Sequence, residues 1–149
     1  MNIEEFLAPA DVLADFAASG KVSLLKGLAQ RASDRLKLSA ELITSALLKR
    51  EELGSTGTGG GIAIPHARIP GLNKPFGILV RLRQPIDFNA IDDQPVDLMF
   101  LLLLPAEANK EQLNALASVA RILRSDEAVR NLRLAHDSAG MFRVMTAQA

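Results

Sequence analysis

Apolar positions along the chain recur with two different periods, and the switches between them divide it into elements. Leu25, Leu28, Ala29, Ala32 and Leu36 fall at helical spacing, with Ser19 or Ser23 as the expected cap. Ser39 opens a second expected helix, 40–53, closed by Gly54 just beyond the last turn. Ile62 to Ile64 reads as a short strand that stops at Pro65, which has no N–H to donate. Phe76, Ile78, Val80 and Leu82 alternate with Gly77, Leu79, Arg81 and Arg83, which predicts a strand half exposed on one face and ended by Gln84 and Pro85. Val96 to Leu104 is almost continuously apolar, as suits a strand buried on both faces. A third helix is expected from Lys110 to Arg124 with Leu113, Leu116, Ala117, Ala120 and Leu123 on one side. Two shorter helices follow, Asp126 to Leu134 and Ala139 to Thr146. At the other end, residues 1–11 read as a polar lead-in anchored by Ile3, Phe6 and Leu7, and Val12 to Phe16 as a short strand. Strands interleaved with helices make this an α/β chain: a single-domain sandwich over residues 1–149, its mixed β-sheet flanked by helices on both faces.

Composition then removes several classes of function. A length of 149 residues suffices for one domain with a real core. Seventeen basic and 17 acidic residues, spread along the chain, give no basic stripe, so no nucleic-acid partner is expected. Cysteine is absent, which excludes disulfides, thiolate catalysis and Cys-ligated zinc. The two histidines lie seventy residues apart and make no metal motif, and no cofactor is expected. The acidic N-terminus has neither a basic nor an apolar leader region. The run Leu98 to Leu104 is too short to cross a bilayer, so the expectation is a cytoplasmic chain without membrane insertion.

The chemistry concentrates between Arg50 and Arg68, which hold five of the ten glycines and one of the two histidines. The loop is not a P-loop, because no lysine occurs between Leu53 and Ala67. A dinucleotide fingerprint begun at Gly57 would need glycine where Ile62 stands, and the loop follows a helix rather than a strand. What remains is one imidazole, His66, set just past a strand end beside a loop able to offer N–H groups and the hydroxyls of Ser55 and Thr56. Such groups suit an anion held on or joined to a histidine. On the preceding helix, Arg50 falls on the same arc as Leu42, Ile43, Ala46, Leu47 and Leu53. An inward arginine needs an anion or a carboxylate, and the sequence leaves both open. Gln112 lies in line with Leu116, Val119 and Leu123 and is also expected to point inward, while His136, at a helix end, reads as surface structure.

The segment Gly54 to His66, G-S-T-G-T-G-G-G-I-A-I-P-H, resembles the signature of the type-2 IIA domains of the bacterial phosphotransferase system, the mannitol/fructose and nitrogen-regulatory class. The resemblance extends over essentially the whole chain and is strongest to the nitrogen-regulatory branch. It implies a phosphotransferase component with mainly regulatory output, in which His66 accepts a phosphoryl group from a phosphohistidine carrier protein of the HPr/NPr type. It also implies that Arg50 is catalytic, that Ser55, Thr56, Gly57 and Gln112 stabilise the phosphoryl group, and that regulatory target proteins read the phosphorylation state, in nitrogen, potassium or related metabolism. Two alternatives accompany it: a sugar-specific component that passes phosphate to a IIB domain, and a partner-binding module that is not phosphorylated. Three departures stand out. Thr58 and Gly60 replace the usual Ile and Asn, Ala67 replaces a common glycine, and Gln112 stands where the family often has a second histidine.

Overall fold

The computed structural model describes residues 1–147. Two 3-10 turns, Ile3–Glu5 and Pro9–Asp11, lead into β1 (Val12–Phe16), α1 (Lys21–Leu36) and α2 (Ala40–Glu52). Three short strands follow, β2 (Gly57–Gly59), β3 (Ile62–Ala63) and β4 (His66–Ile69). The long strands β5 (Phe76–Ile86) and β6 (Val96–Pro105) come next, and then α3 (Lys110–Leu123), α4 (Asp126–Leu134) and α5 (Ser138–Thr146). The strands form one mixed sheet in the order β1-β5-β6-β3-β2, with β4 also on β6. β1 runs parallel to β5, β5 antiparallel to β6, and β3 and β4 both parallel to β6.

Helices cover both faces, as the sequence predicts. Leu24, Leu28, Ile43 and Leu47 of α1 and α2 pack on Ile78, Val80, Met99, Leu101 and Leu103. On the other face Ala115, Val119, Leu132 and Met141 of α3 to α5 meet Leu79, Leu98, Phe100 and Leu102. The alternation of β6 between these two sets is why its sequence is apolar throughout. The lead-in is built in rather than loose. Ile3, Phe6 and Leu7 are buried, and the fully buried Asp11 is met by Arg35 Nε at 2.9 Å.

Several expectations shift. α1 is capped at Gly20, whose N–H donates to Ser23 Oγ at 3.1 Å, so Ser23 is the third helical residue and not the cap. β5 is exposed on one face only in its second half, where Arg81 is half-buried and Arg83 exposed. Gly77 and Leu79 are as buried as Ile78 and Val80, and the strand continues through Gln84 and Pro85 to Ile86. An irregularity in its pairing with β6 between Arg81 and Ile86 lets the proline stay in the strand. Gly77 is required where it stands, because a Cβ there would come within 2.5 Å of the Phe100 ring. Arg81 spends its charge on the end of α4, donating to the Leu132 and Ala135 carbonyls at 2.9 and 2.7 Å. On α3 the buried face is Ala115, Val119, Ile122 and Leu123, so the predicted stripe is rotated outward and Leu113 and Ala117 are exposed. The strands β2 and β4 were not anticipated.

Candidate phosphoryl-transfer site

The line of strand formed by β3 and β4 beside β6 is interrupted once. Ile62 and Ala63 pair with Leu98 and Met99, and pairing resumes with His66 opposite Leu102. Pro65 has no N–H for the ladder, although its carbonyl accepts from Leu102 N–H at 2.9 Å. The break frees the Ile64 carbonyl, and His66 Nδ1–H donates to it at 2.8 Å. A carbonyl can only accept, so this bond fixes the neutral ring with its proton on Nδ1 and the lone pair on Nε2.

Half-buried, His66 lines a hollow of about 460 Å³ between the end of α2, β4 and α3. Ala46, Leu53, Leu113 and Leu116 supply its apolar walls, and Lys49, Arg50 and Arg68 its cations. Arg50 thus faces a surface hollow rather than the core. Leu53, placed on the same arc by the sequence, is 85% exposed, because the last turn of α2 overhangs this hollow and not the sheet. One Arg50 N–H donates to the Gly54 carbonyl at 2.9 Å. No carboxylate pairs with Arg50 among the described residues, which leaves the rest of its planar fork for an anion.

The hydroxyl and glycine residues before Pro65 are engaged elsewhere. Ser55 Oγ donates to the Phe88 carbonyl at 2.8 Å and accepts from Gly57 N–H at 3.0 Å. Thr56 is buried, and both its N–H and its hydroxyl bond the Glu51 carboxylate. Gly59, Gly60 and Gly61 all have positive φ, at the turn of a β2–β3 hairpin. Arg133 clasps that turn by donating to the Gly60 carbonyl at 2.7 Å while paired with Asp97 at 2.8 Å. Asp92 accepts from Gly60 N–H at 2.9 Å and from Gln94 N–H at 3.1 Å, and these bonds hold its carboxyl below the ordinary value of 3.8.

Gln112 is half-buried and closes a capping box at the start of α3. Its carbonyl accepts from Asn109 N–H at 3.1 Å, its own N–H donates to Asn109 Oδ1 at 2.8 Å, and its amide donates to the Asn73 carbonyl at 3.2 Å. The structure therefore brings His66 and Arg50 to one hollow, gives Ser55, Thr56 and Gly57 partners that do not line it, and ties Gln112 to a loop carbonyl. His136 is exposed at the start of α5, as expected. Sequence reasoning missed Glu51, which lies next to Arg50 and looked like an ordinary helix-surface acid. A threonine five residues after a glutamate, across a helix end, was the available signal.

Comparison with known proteins places this geometry in context. A family model described as "Phosphoenolpyruvate-dependent sugar phosphotransferase system, EIIA 2" matches residues 5–147. A nitrogen regulatory protein of Bradyrhizobium diazoefficiens is 40% identical over 145 residues, covering 97% of this chain and 95% of the relative. One of Pseudomonas aeruginosa is 35% identical over 146 residues, covering 97% and 95%. The crystal structure of nitrogen regulatory protein IIA-Ntr from Neisseria meningitidis superposes with a TM-score of 0.91 at 31% identity, covering 97% of this chain and 99% of that one.

Proposed function

We propose, because this chain belongs to the phosphotransferase-system EIIA type-2 family, that it carries a phosphoryl group on Nε2 of His66 and that other proteins read its phosphorylation state. The single observation that supports the reading best is the 2.8 Å bond from Nδ1–H to the Ile64 carbonyl, in a hollow shared with an arginine that pairs with no carboxylate among the described residues. That bond leaves Nε2 with the electron pair a phosphoryl acceptor needs.

In the transfer, the Nε2 pair forms the new N–P bond. The N–P bond of a phosphohistidine donor breaks and returns its pair to the donor nitrogen. A donor ring protonated on its far nitrogen departs neutral, and the positive charge appears on His66, where Nδ1–H stays against the Ile64 carbonyl. Arg50 meets the phosphoryl oxygens as charge concentrates on them. The donor is a phosphohistidine carrier protein. Full-length similarity to two nitrogen regulatory proteins supports a regulatory output.

The test is intact mass spectrometry after incubation with a phosphorylated carrier, at neutral or alkaline pH because phosphohistidine is acid-labile. The wild-type chain should gain one phosphoryl group and His66→Ala none. An alanine variant labelled to the same extent overturns the assignment.

A further inference from the structure

We infer that Glu51 is a positioning residue that fixes the pose and tautomer of His66 through Thr56 and Ile64. One unbroken line of bonds joins Glu51 to the ring. The Glu51 side chain is 5% exposed, an unusual place for a carboxylate unless its oxygens are matched. It is matched on both sides. Lys21 Nζ, from the first residue of α1, lies 2.9 Å from Oε1 and stacks over the Phe88 ring at 4.6 Å. Thr56 N–H donates to the same Oε1 at 3.1 Å, and the Thr56 hydroxyl donates to Oε2. The Thr56 carbonyl in turn accepts from Ile64 N–H at 3.0 Å, and the Ile64 carbonyl accepts from His66 Nδ1–H.

Ile64 is the link that makes this more than local packing. It sits in the gap between β3 and β4, after the last β3 pair with Met99 and before the β4 pair at Leu102. The hydrogen bond from its N–H comes from the hairpin side, not from β6. The residue whose carbonyl holds the imidazole is therefore anchored through its own N–H by Thr56, and Thr56 by Glu51. Since Arg50 and Glu51 are neighbours on the last turn of α2, that turn aims one side chain into the hollow and with the next anchors the loop that presents the ring.

This inference rests on the role proposed for His66, but its decisive readout does not. Two-bond proton–nitrogen correlations of the His66 ring, recorded at pH 8, report which nitrogen carries the proton. In the wild-type chain Nδ1 should be the protonated nitrogen. In Glu51→Ala both tautomers should appear, and transfer from a phosphorylated carrier should fall by about tenfold, the lower end of the effect of losing an outer partner of a functional imidazole. Glu51→Gln, which can still accept from Thr56 N–H and donate to its hydroxyl, should restore the wild-type tautomer and most of the rate. If the alanine variant does not fold, Glu51→Asp decides, because its carboxylate is one methylene short of Thr56 and should also mix the tautomers. An unchanged Nδ1–H tautomer in the folded alanine or aspartate variant overturns the inference. If the wild-type chain takes up no phosphoryl group, the proposed function fails while the ring correlations still decide the positioning.

Discussion

Two regions lie on either side of Pro65 in the chain, and they use polar groups in opposite ways. Before it, the β2–β3 hairpin and its flanks are dense in donors and acceptors, and the hydroxyls of Ser55 and Thr56 and the N–H groups of Thr56, Gly57 and Gly60 all have partners within the molecule. After it, the hollow around His66 is walled mainly by aliphatic side chains, yet it holds an arginine with no acid partner among the described residues and a ring nitrogen with a free pair. The difference shows that the number of polar groups in a segment does not identify a reactive site. What matters is which groups still have capacity after the fold has taken its share.

The sharpest expected difference comes from Arg50. Arg50→Ala should slow phosphoryl transfer by about 10²-fold or more, the usual cost of removing one preorganised donor from developing charge. Among the described residues its side chain makes one hydrogen bond, to the Gly54 carbonyl, so unfolding in urea should shift by no more than about 1 kcal/mol. Arg50→Lys should fall between, because it keeps the charge and loses the fork. Wild-type transfer in both variants would erase the distinction between the two regions.

Thr56→Val should give the reverse signature. It removes a hydroxyl that donates to the buried Glu51 carboxylate and leaves that oxygen without this partner, at a cost of about 1–3 kcal/mol. The backbone bonds of Thr56 to Glu51 and Ile64 persist, so transfer by the folded protein should remain within about threefold of wild type, or less than about 1 kcal/mol. Chemical denaturation and a transfer assay on the same samples check both halves.

Gln112→Ala should behave like the hairpin rather than the hollow. It opens the capping box of α3 and releases the Asn73 carbonyl, so stability should drop by about 0.5–2 kcal/mol with the transfer rate unchanged. A slower transfer with intact stability would bring Gln112 into the site, where the family resemblance set it.

Much of this contrast was legible in the sequence, and the failures share a physical cause. α2, α4 and β6 follow from local period and caps alone, and His66 and Arg50 from the glycine segment and one helical wheel. β4 was missed because four residues after a proline carry little pattern, and their partner is β6, more than thirty residues away. β2 is Gly-Thr-Gly, which has no strand preference of its own and is drawn into the sheet by β3. The face of β5 went astray because Gly77 counts as polar in an alternation, although Phe100 fills its missing side chain. On α3 the apolar residues exceed what the core can cover. Leu113 and Leu116 wall the His66 hollow instead, so the wheel pointed between the two. Commitment was the least visible property. That Thr56 serves Glu51, and Gln112 serves Asn109 and Asn73, depends on where loops return, which no local period encodes.

The smallest effect belongs to Asp92, and it isolates the charge that holds the hairpin turn. Its carboxylate accepts from Gly60 and Gln94 N–H groups, which favour the ionised form and lower its pKa from 3.8. A depressed carboxylate contributes stability that is fully present above its unfolded pKa and lost as pH falls through its folded one. Wild type should therefore melt slightly above Asp92→Ala at pH 7, and the gap should close as the pH is taken below 3.8. The side chain is in water, so the gap at neutral pH should be small and should shrink further in high salt. Transfer to His66 at pH 8 should be the same in both proteins, because Ile64 is tied to Thr56 and not to the turn that Asp92 holds. Thermal melts from pH 2.5 to 7, paired with one transfer measurement, test this. A gap that persists under acid would mean that Asp92 acts by shape rather than by charge. A slowed transfer would mean that the hairpin turn and the hollow are coupled, and that the division drawn at Pro65 runs elsewhere.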